Sequence, residues 1–343
     1  MSDQYPVRRF IRAVATDGFV LSLQAALLCA AFFPATPTLL PWVEGCAKAA
    51  IAVLFFIYGV RIAPRDALIG LAHWRMHLMI LSFTFVVFPL LGLAMRGLPD
   101  VMLQSELYPG VLFMCLVPST VQASIAFTAR SGGNVPAAIA SASASNLIGV
   151  FLTPALALTL MTTSGKTPVH STAALGLCLQ LLVPFLLGQC ARPWMSGWVA
   201  EHANSLKIVG RESIVLVVYA SFSAGTREGM WHQVSVFGVF QVIAMSITLV
   251  GFMLWLTAFA ARRFGFVEAD VRAIQFCGTK KALATGLPIA AVLFAGHPIG
   301  LLLLPLMIFH QVQLMMCTWW ADHYAYRLAA GPGGAGSAAD MVD

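Results

Sequence analysis

Apolar residues run along this chain in long, nearly unbroken stretches. They follow neither the three-or-four spacing of a soluble amphipathic helix nor the alternation of a half-buried strand. Ten stretches can be marked, centred on 18–35, 46–60, 76–95, 108–127 and 135–160 in the first half and on 172–190, 213–224, 234–261, 273–295 and 298–320 in the second. A helix rising about 1.5 Å per residue needs about 20 apolar residues to cross a hydrocarbon core about 30 Å thick. Strands of a membrane barrel would be about ten residues long and alternating, which none of these is. The pattern predicts an all-α polytopic membrane protein with ten transmembrane helices.

Composition agrees: 59% of residues are hydrophobic, 10% are charged and the mean hydropathy is +0.84, outside the range of soluble domains. Arg8, Arg9 and Arg12 precede the first stretch as they would in a secretory leader. That apolar run is long for a leader, and losing it would break the five-and-five layout described below, so it is expected to remain as a span. One transmembrane domain then covers 1–330, followed by a Gly- and Ala-rich, unpatterned tail over 331–343 that is expected to be disordered.

The loops carry the topology, because cytoplasmic loops retain Lys and Arg. With the N-terminus inside, the inner side collects Arg61, Arg65, Arg75, Arg130, Arg192, Lys207, Arg211, Arg262, Arg263 and Arg272 among others, while the outer side holds Arg96, Lys166 and Arg227. Both termini are therefore expected in the cytoplasm of a plasma membrane, the inner membrane if the source is bacterial. The net charge of +6 is spread thinly over loops, which argues against a nucleic-acid partner.

Seven cysteines lie scattered in or beside apolar spans with no CxxC pair, and read as small apolar fillers. His73 and His77 are four apart, but they sit at a basic helix start beside Trp74 and Arg75 with no carboxylate or thiolate near. Neither a metal nor a cofactor is expected.

The two halves are alike in layout. The fourth stretch contains Val117-Pro118-Ser119-Thr120-Val121-Gln122 and ends near Gly133-Asn134; the ninth contains Gly278-Thr279-Lys280-Lys281 and ends near Gly296-His297. Each is followed by a span with one polar side chain inside it, Asn146 in the fifth and His310 in the tenth. Repeats over 18–161 and 171–326 with five spans each must insert in opposite senses, the inverted-repeat plan of secondary transporters. Helix breaks are expected in the corresponding fourth and ninth spans, at Pro118 and around Gly278, Gly286 and Pro288. Pro89, Pro154, Pro184 and Pro305 read as simple kinks. Irregular backbone in a membrane survives only where protein or a water-filled cavity satisfies it, so paired breaks point to a midplane binding site.

Lys280 and Lys281 stand at the second break. A Lys at the centre of a span costs about 2.5–3.5 kcal/mol on insertion scales, so two adjacent ones need a cause. No Asp or Glu falls at mid-span to pair with them. The expectation is that unwound chain lets both ammonium groups enter one interior chamber, where carbonyls freed at Pro118, together with Gln122, Asn146, His310 and the substrate, are their neighbours. Surplus positive charge favours an anion, and a desolvated Lys offers a route to proton coupling.

These residues resemble the bile-acid:sodium symporter superfamily, in its SBF-like branch. The resemblance runs from Asp17-Gly18 to about Arg327 and rests on the stretches 55–61 (FFIYGVR), 118–124 (PSTVQAS), 184–189 (PFLLGQ), 276–281 (FCGTKK) and 309–311 (FHQ). It implies a panel of spans one, two, six and seven and a core of spans three to five and eight to ten, with broken spans four and nine crossing in the core. The sequence departs from the sodium-coupled carriers where their ligands fall: Cys277 and Lys281 stand at the acidic and Gln positions, and Ala138 and Ala142 at hydroxyl positions. The resemblance thus implies a Lys ammonium in the place of a bound cation, and it does not support bile acid as substrate.

The leading expectation is a secondary carrier of a small organic anion, coupled to Na+ or H+. Lys280 and Lys281 would bind or balance the anion, with Ser119, Thr120, Gln122 and Ser124 lining the site from the first half and Ser145, Asn146, Thr279, Thr285, His310 and Gln311 completing its wall. Ser141, four residues before Ser145, fits close helix packing better than ligation. A non-transporting membrane regulator that keeps the fold and acts through the loop 192–211 is the alternative. A hydrolase is weakly supported, because no spacing assigns a nucleophile to a base and no carboxylate orients one.

Overall fold

The computed structural model describes residues 18–61, 73–162, 171–294 and 299–329; Arg8, Arg9, Arg12, Arg65, Lys166, the Gly296-His297 pair and the 331–343 tail lie outside them. Every regular element among the described residues is helical. In chain order these are α1 (Gly18–Phe32), α2 (Leu40–Arg61), α3 (Trp74–Ser82), a π-helical turn (Phe83–Val87), α4 (Phe88–Ala94), α5 (Tyr108–Leu116), α6 (Gln122–Arg130) and α7 (Val135–Thr162). Then come α8 (Ser171–Glu201), α9 (Ala203–Arg227), the short α10 (Met230–Gln233), α11 (Val236–Arg263), α12 (Glu268–Thr279), α13 (Leu283–Leu293) and α14 (Ile299–Ala329).

Among the described residues, six segments are long and apolar enough to cross a membrane: Leu40–Arg61, Trp74–Gly97, Val135–Met161, Ala203–Arg227, Val236–Arg263 and Ile299–Leu328. The stretches 108–127 and 273–295, read from sequence as spans, are each a pair of short helices, α5 with α6 and α12 with α13. None of those four reaches the about 20 residues that a crossing needs.

Local signals set the helix ends. Ser235 caps α11 by accepting from the Gly238 N–H at 2.9 Å. The same helix stops at Gly265, whose φ of +78° lets the Phe266 N–H turn back to the Ala261 carbonyl. Glu268 and Asp270 stand in the first turn of α12, where the helix dipole favours them, and Arg262 pairs with Glu268 at 2.8 Å. That guanidinium holds the Glu268 carboxyl below the usual carboxylate range.

The helices gather in two groups. α2 and α8 share the most extensive helix–helix contact in the structure, and α9 packs on both α1 and α2. Gly59 and Gly188 make the first contact possible, because a Cβ on Gly59 would run into the Phe185 carbonyl and one on Gly188 into the Phe56 carbonyl. Gln189 adds a hydrogen bond to the Gly59 carbonyl at 2.8 Å. In the other group α11 packs on α12 and α14, while α14 packs on α5, α6 and α13. The groups meet where α8 touches α7 and α13, and where α9 touches α13 and α14.

Candidate functional site

Two stretches of non-helical chain interrupt the helices inside the second group. One covers 117–121, where Pro118 has no N–H and Val117 takes φ −74° and ψ 154°; the other covers 280–282, with Lys280 at φ −94° and ψ 154°. They touch directly, the Ala282 N–H donating to the Pro118 carbonyl at 2.7 Å. The second break therefore begins just after Gly278, which sits in the last turn of α12, and ahead of Gly286 and Pro288, which lie within α13. The role of Gly286 is a close approach: a Cβ there would stand 2.9 Å from the Val117 side chain. Pro288 leaves the Ala284 carbonyl without its helical donor.

Hydroxyl and amide side chains satisfy the opened backbone. Ser119 donates to the Cys277 carbonyl at 2.6 Å, and Ser124 to the Phe276 carbonyl at 3.3 Å. From α7, Ser145 accepts from the Ser119 N–H at 3.2 Å, Asn146 donates to the Ser119 carbonyl at 2.6 Å, and Thr153 donates to the Leu116 carbonyl at 2.9 Å. Thr285 completes the link by donating to the Asn146 side-chain oxygen at 2.7 Å. Thr279 is buried within 3.5 Å of the Thr257 hydroxyl.

Lys281 is fully buried, and its Nζ lies 2.9 Å from the Thr84 carbonyl, 2.8 Å from Cys115 and 2.9 Å from Val117. Three acceptors require three donors, which makes the group an ammonium. The Cys115 and Val117 carbonyls are released where α5 ends. Thr84 is released by the π turn, in which the Phe88 N–H bonds Phe83 instead, while the next residue, Pro89, has no N–H to offer. The Phe88 ring covers the cage with its centroid 4.2 Å from Nζ.

Lys280 is equally buried but separate. Extended backbone turns it away from its neighbour, and its Nζ has no hydrogen-bond partner. It rests on the Phe127 ring, 3.5 Å from the centroid, with Phe276 at 5.7 Å. The expectation of one chamber shared by both amines does not hold: their surroundings are distinct, and neither lysine lines the cavity between the helix groups.

Gln313, which sequence reasoning passed over, anchors the second break. Its side-chain oxygen accepts the Lys281 N–H at 2.8 Å, and its nitrogen donates to the Lys281 carbonyl at 2.8 Å and lies 2.9 Å from His310 Nδ1. An amide nitrogen can only donate, so Nδ1 accepts and the neutral ring carries its proton on Nε2. The spacing of three from His310 was the available signal.

The cavity, about 620 Å³, lies between the two helix groups. Of the expected site residues, Thr120, Gln122, Asn146, Thr285 and His310 line it, whereas Ser119, Ser124, Ser145, Thr279, Lys280, Lys281 and Gln311 do not. Apolar walls come from Phe19, Leu54, Ile57, Leu147, Val150 and Ile214. Among the described lining residues the charged ones are Arg61, Lys207 and Arg211, all cationic. Arg61 also reaches the Ala203 carbonyl at 3.2 Å, and Arg211 lies over the Phe19 ring. Sequence reading used these three only for topology. The N-termini of α6 and α13 open on the same space, and neither has a capping side chain. Their unpaired N–H groups favour negative charge. His77, weighed earlier as a metal ligand, is 2.6 Å from the Ser141 hydroxyl and joins α3 to α7.

Comparison with known proteins adds independent findings. A family profile described as the SBF-like CPA transporter family matches residues 17–326. The chain is 45% identical to an uncharacterized protein of Pseudomonas aeruginosa, over 91% of this chain and 93% of the relative. It is 42% identical to YfeH of Escherichia coli, which carries a provisional symporter designation, over 90% and 92%. Sodium/bile acid cotransporter 7 of Rattus norvegicus is 28% identical, over 78% of this chain and 79% of the relative.

Proposed function

The chain belongs to the SBF-like CPA transporter family, and from that membership and its cavity we propose that it is a secondary carrier of a small organic anion that works by alternating access. A multi-pass membrane transporter is the family reading. The anionic substrate is our own. One observation carries it: the cavity between the helix groups has Arg61, Lys207 and Arg211 on its wall, two uncapped helix N-termini at its floor, and no carboxylate among its described lining residues.

The polar floor of Thr120, Gln122, Asn146, Thr285 and His310 supplies donors and acceptors at the crossing, and the apolar walls favour a substrate with a carbon skeleton. Ten spans in two inverted repeats fit the fold if α5 with α6 and α12 with α13 each count as one interrupted span. The group α1, α2, α8 and α9 would then be the panel against which the remaining helices rock. With both termini in the cytoplasm, the end of the cavity bearing Arg61 and Lys207 would face the cytoplasm, and this arrangement would correspond to the inward-facing state of the proposed cycle.

Uptake into proteoliposomes from a panel of organic anions, with and without a sodium gradient and with the proton gradient collapsed, tests this. Arg211→Gln should raise KM for the transported anion by about tenfold, the equivalent of about 1.4 kcal/mol. The segment 192–211, read from sequence as a loop, is the end of α8 and the start of α9. If no anion is taken up while substitutions over 192–205, outside the cavity lining, still produce a cellular phenotype, the regulator reading replaces this one.

A further inference from the structure

We propose that the Lys281 ammonium is a built-in cation of the crossing, so that no dissociable metal ion is needed to hold the two interrupted helices together. This refines the coupling of the carrier proposed above, and it stands on geometry that can be tested without knowing the substrate.

Three backbone carbonyls converge on Nζ at 2.8–2.9 Å, the length of a charge-assisted N–H···O bond. They come from two unrelated irregularities in the chain. The end of α5 releases Cys115 and Val117, and the π turn ahead of Pro89 releases Thr84. A ring of neutral carbonyl dipoles with no carboxylate among its partners is the coordination offered to a monovalent cation; a divalent ion calls for more oxygens and negative charge. Here the cation arrives on a side chain from the opposite break. The Lys281 backbone is itself locked by Gln313, so tether and cage are both fixed.

The ligand class of the cage follows. Its oxygens are spaced for N–H donors, so with the side chain removed it should take ammonium or a primary alkylammonium in preference to sodium. Lys281→Ala deletes three methylenes and the amine, and n-propylammonium restores that fragment. Quaternary choline has no N–H and cannot.

Purified Lys281→Ala should gain a few degrees of thermal stability in n-propylammonium or ammonium chloride relative to choline chloride, while wild type and Lys281→Met show no such difference. No gain for Lys281→Ala, or the same gain in wild type, overturns the proposal. Should Lys281→Ala fail to fold, wild-type uptake decides: equal rates in sodium and choline media support a built-in cation, and a requirement for sodium overturns it. Failure of every substrate to be transported would refute the carrier reading and leave the stability measurement standing.

Discussion

Adjacent lysines that look alike in the sequence meet opposite fates, and the cause is local. On extended chain, side chains alternate, so Lys281 enters the carbonyl cage while Lys280 lies on the Phe127 face without a hydrogen-bond partner. That the pair would be buried at a break was legible from two cations between Gly278 and Pro288 in an apolar run. Which one would be satisfied was not, because the acceptors are main-chain atoms 164–197 residues away and leave no mark in composition. Gln313 belongs to the same scale. Leu at 313 would leave the Lys281 N–H and carbonyl buried and unpaired, at about 1–3 kcal/mol for each group. We expect Gln313→Leu to lower the unfolding temperature in detergent and to abolish uptake. Gln313→Glu, which can still accept the N–H, should lose less stability.

Elements carry the next lesson, that an irregular turn in one helix can serve a break in another. Pro89 was read as a kink, yet together with the π turn it keeps the Thr84 carbonyl open for Lys281. Removing a proline from a helix interior ordinarily relieves up to about 3 kcal/mol. Pro89→Ala should instead give no such gain, because the new N–H competes for the carbonyls about which Lys281 is placed, and uptake should fall several-fold. Thermal unfolding and initial uptake rates measured together would check this. Sequence placed the two breaks well, since Pro118 and the Gly278-to-Lys281 run stand out, but it missed the π turn, whose residues 83–87 are ordinary helix formers in a membrane. It also assigned breaking roles to Gly286 and Pro288, which lie inside α13.

Across the whole molecule, the proposed carrier requires two helix groups to keep their shapes while the space between them changes. The Gly59–Gly188 contact holds α2 closely against α8 within the α1, α2, α8 and α9 group. Gly188→Leu should force α2 and α8 apart at a cost of about 1–3 kcal/mol or more, seen as a lower unfolding temperature and lost transport with the Lys281 cage untouched. The glycines were visible in the stretches 55–61 and 184–189; their mutual contact was not, because pairing across 129 positions is a property of the fold. The cationic cavity wall was hidden for another reason: Arg61, Lys207 and Arg211 also satisfy the charge rule for loops, and one role masked the other.

A positive charge fixed by covalent bonds to a moving body has an electrical consequence. In the carrier proposed above it would feel the membrane potential yet never leave with the cargo, so voltage should bias which side the empty carrier faces. The full field is worth about 2.3 kcal/mol per elementary charge for each 100 mV, and Lys281 would feel only the fraction through which it travels. Rapid voltage steps on substrate-free protein should therefore displace charge transiently, without steady current, and Lys281→Met should shrink that displacement.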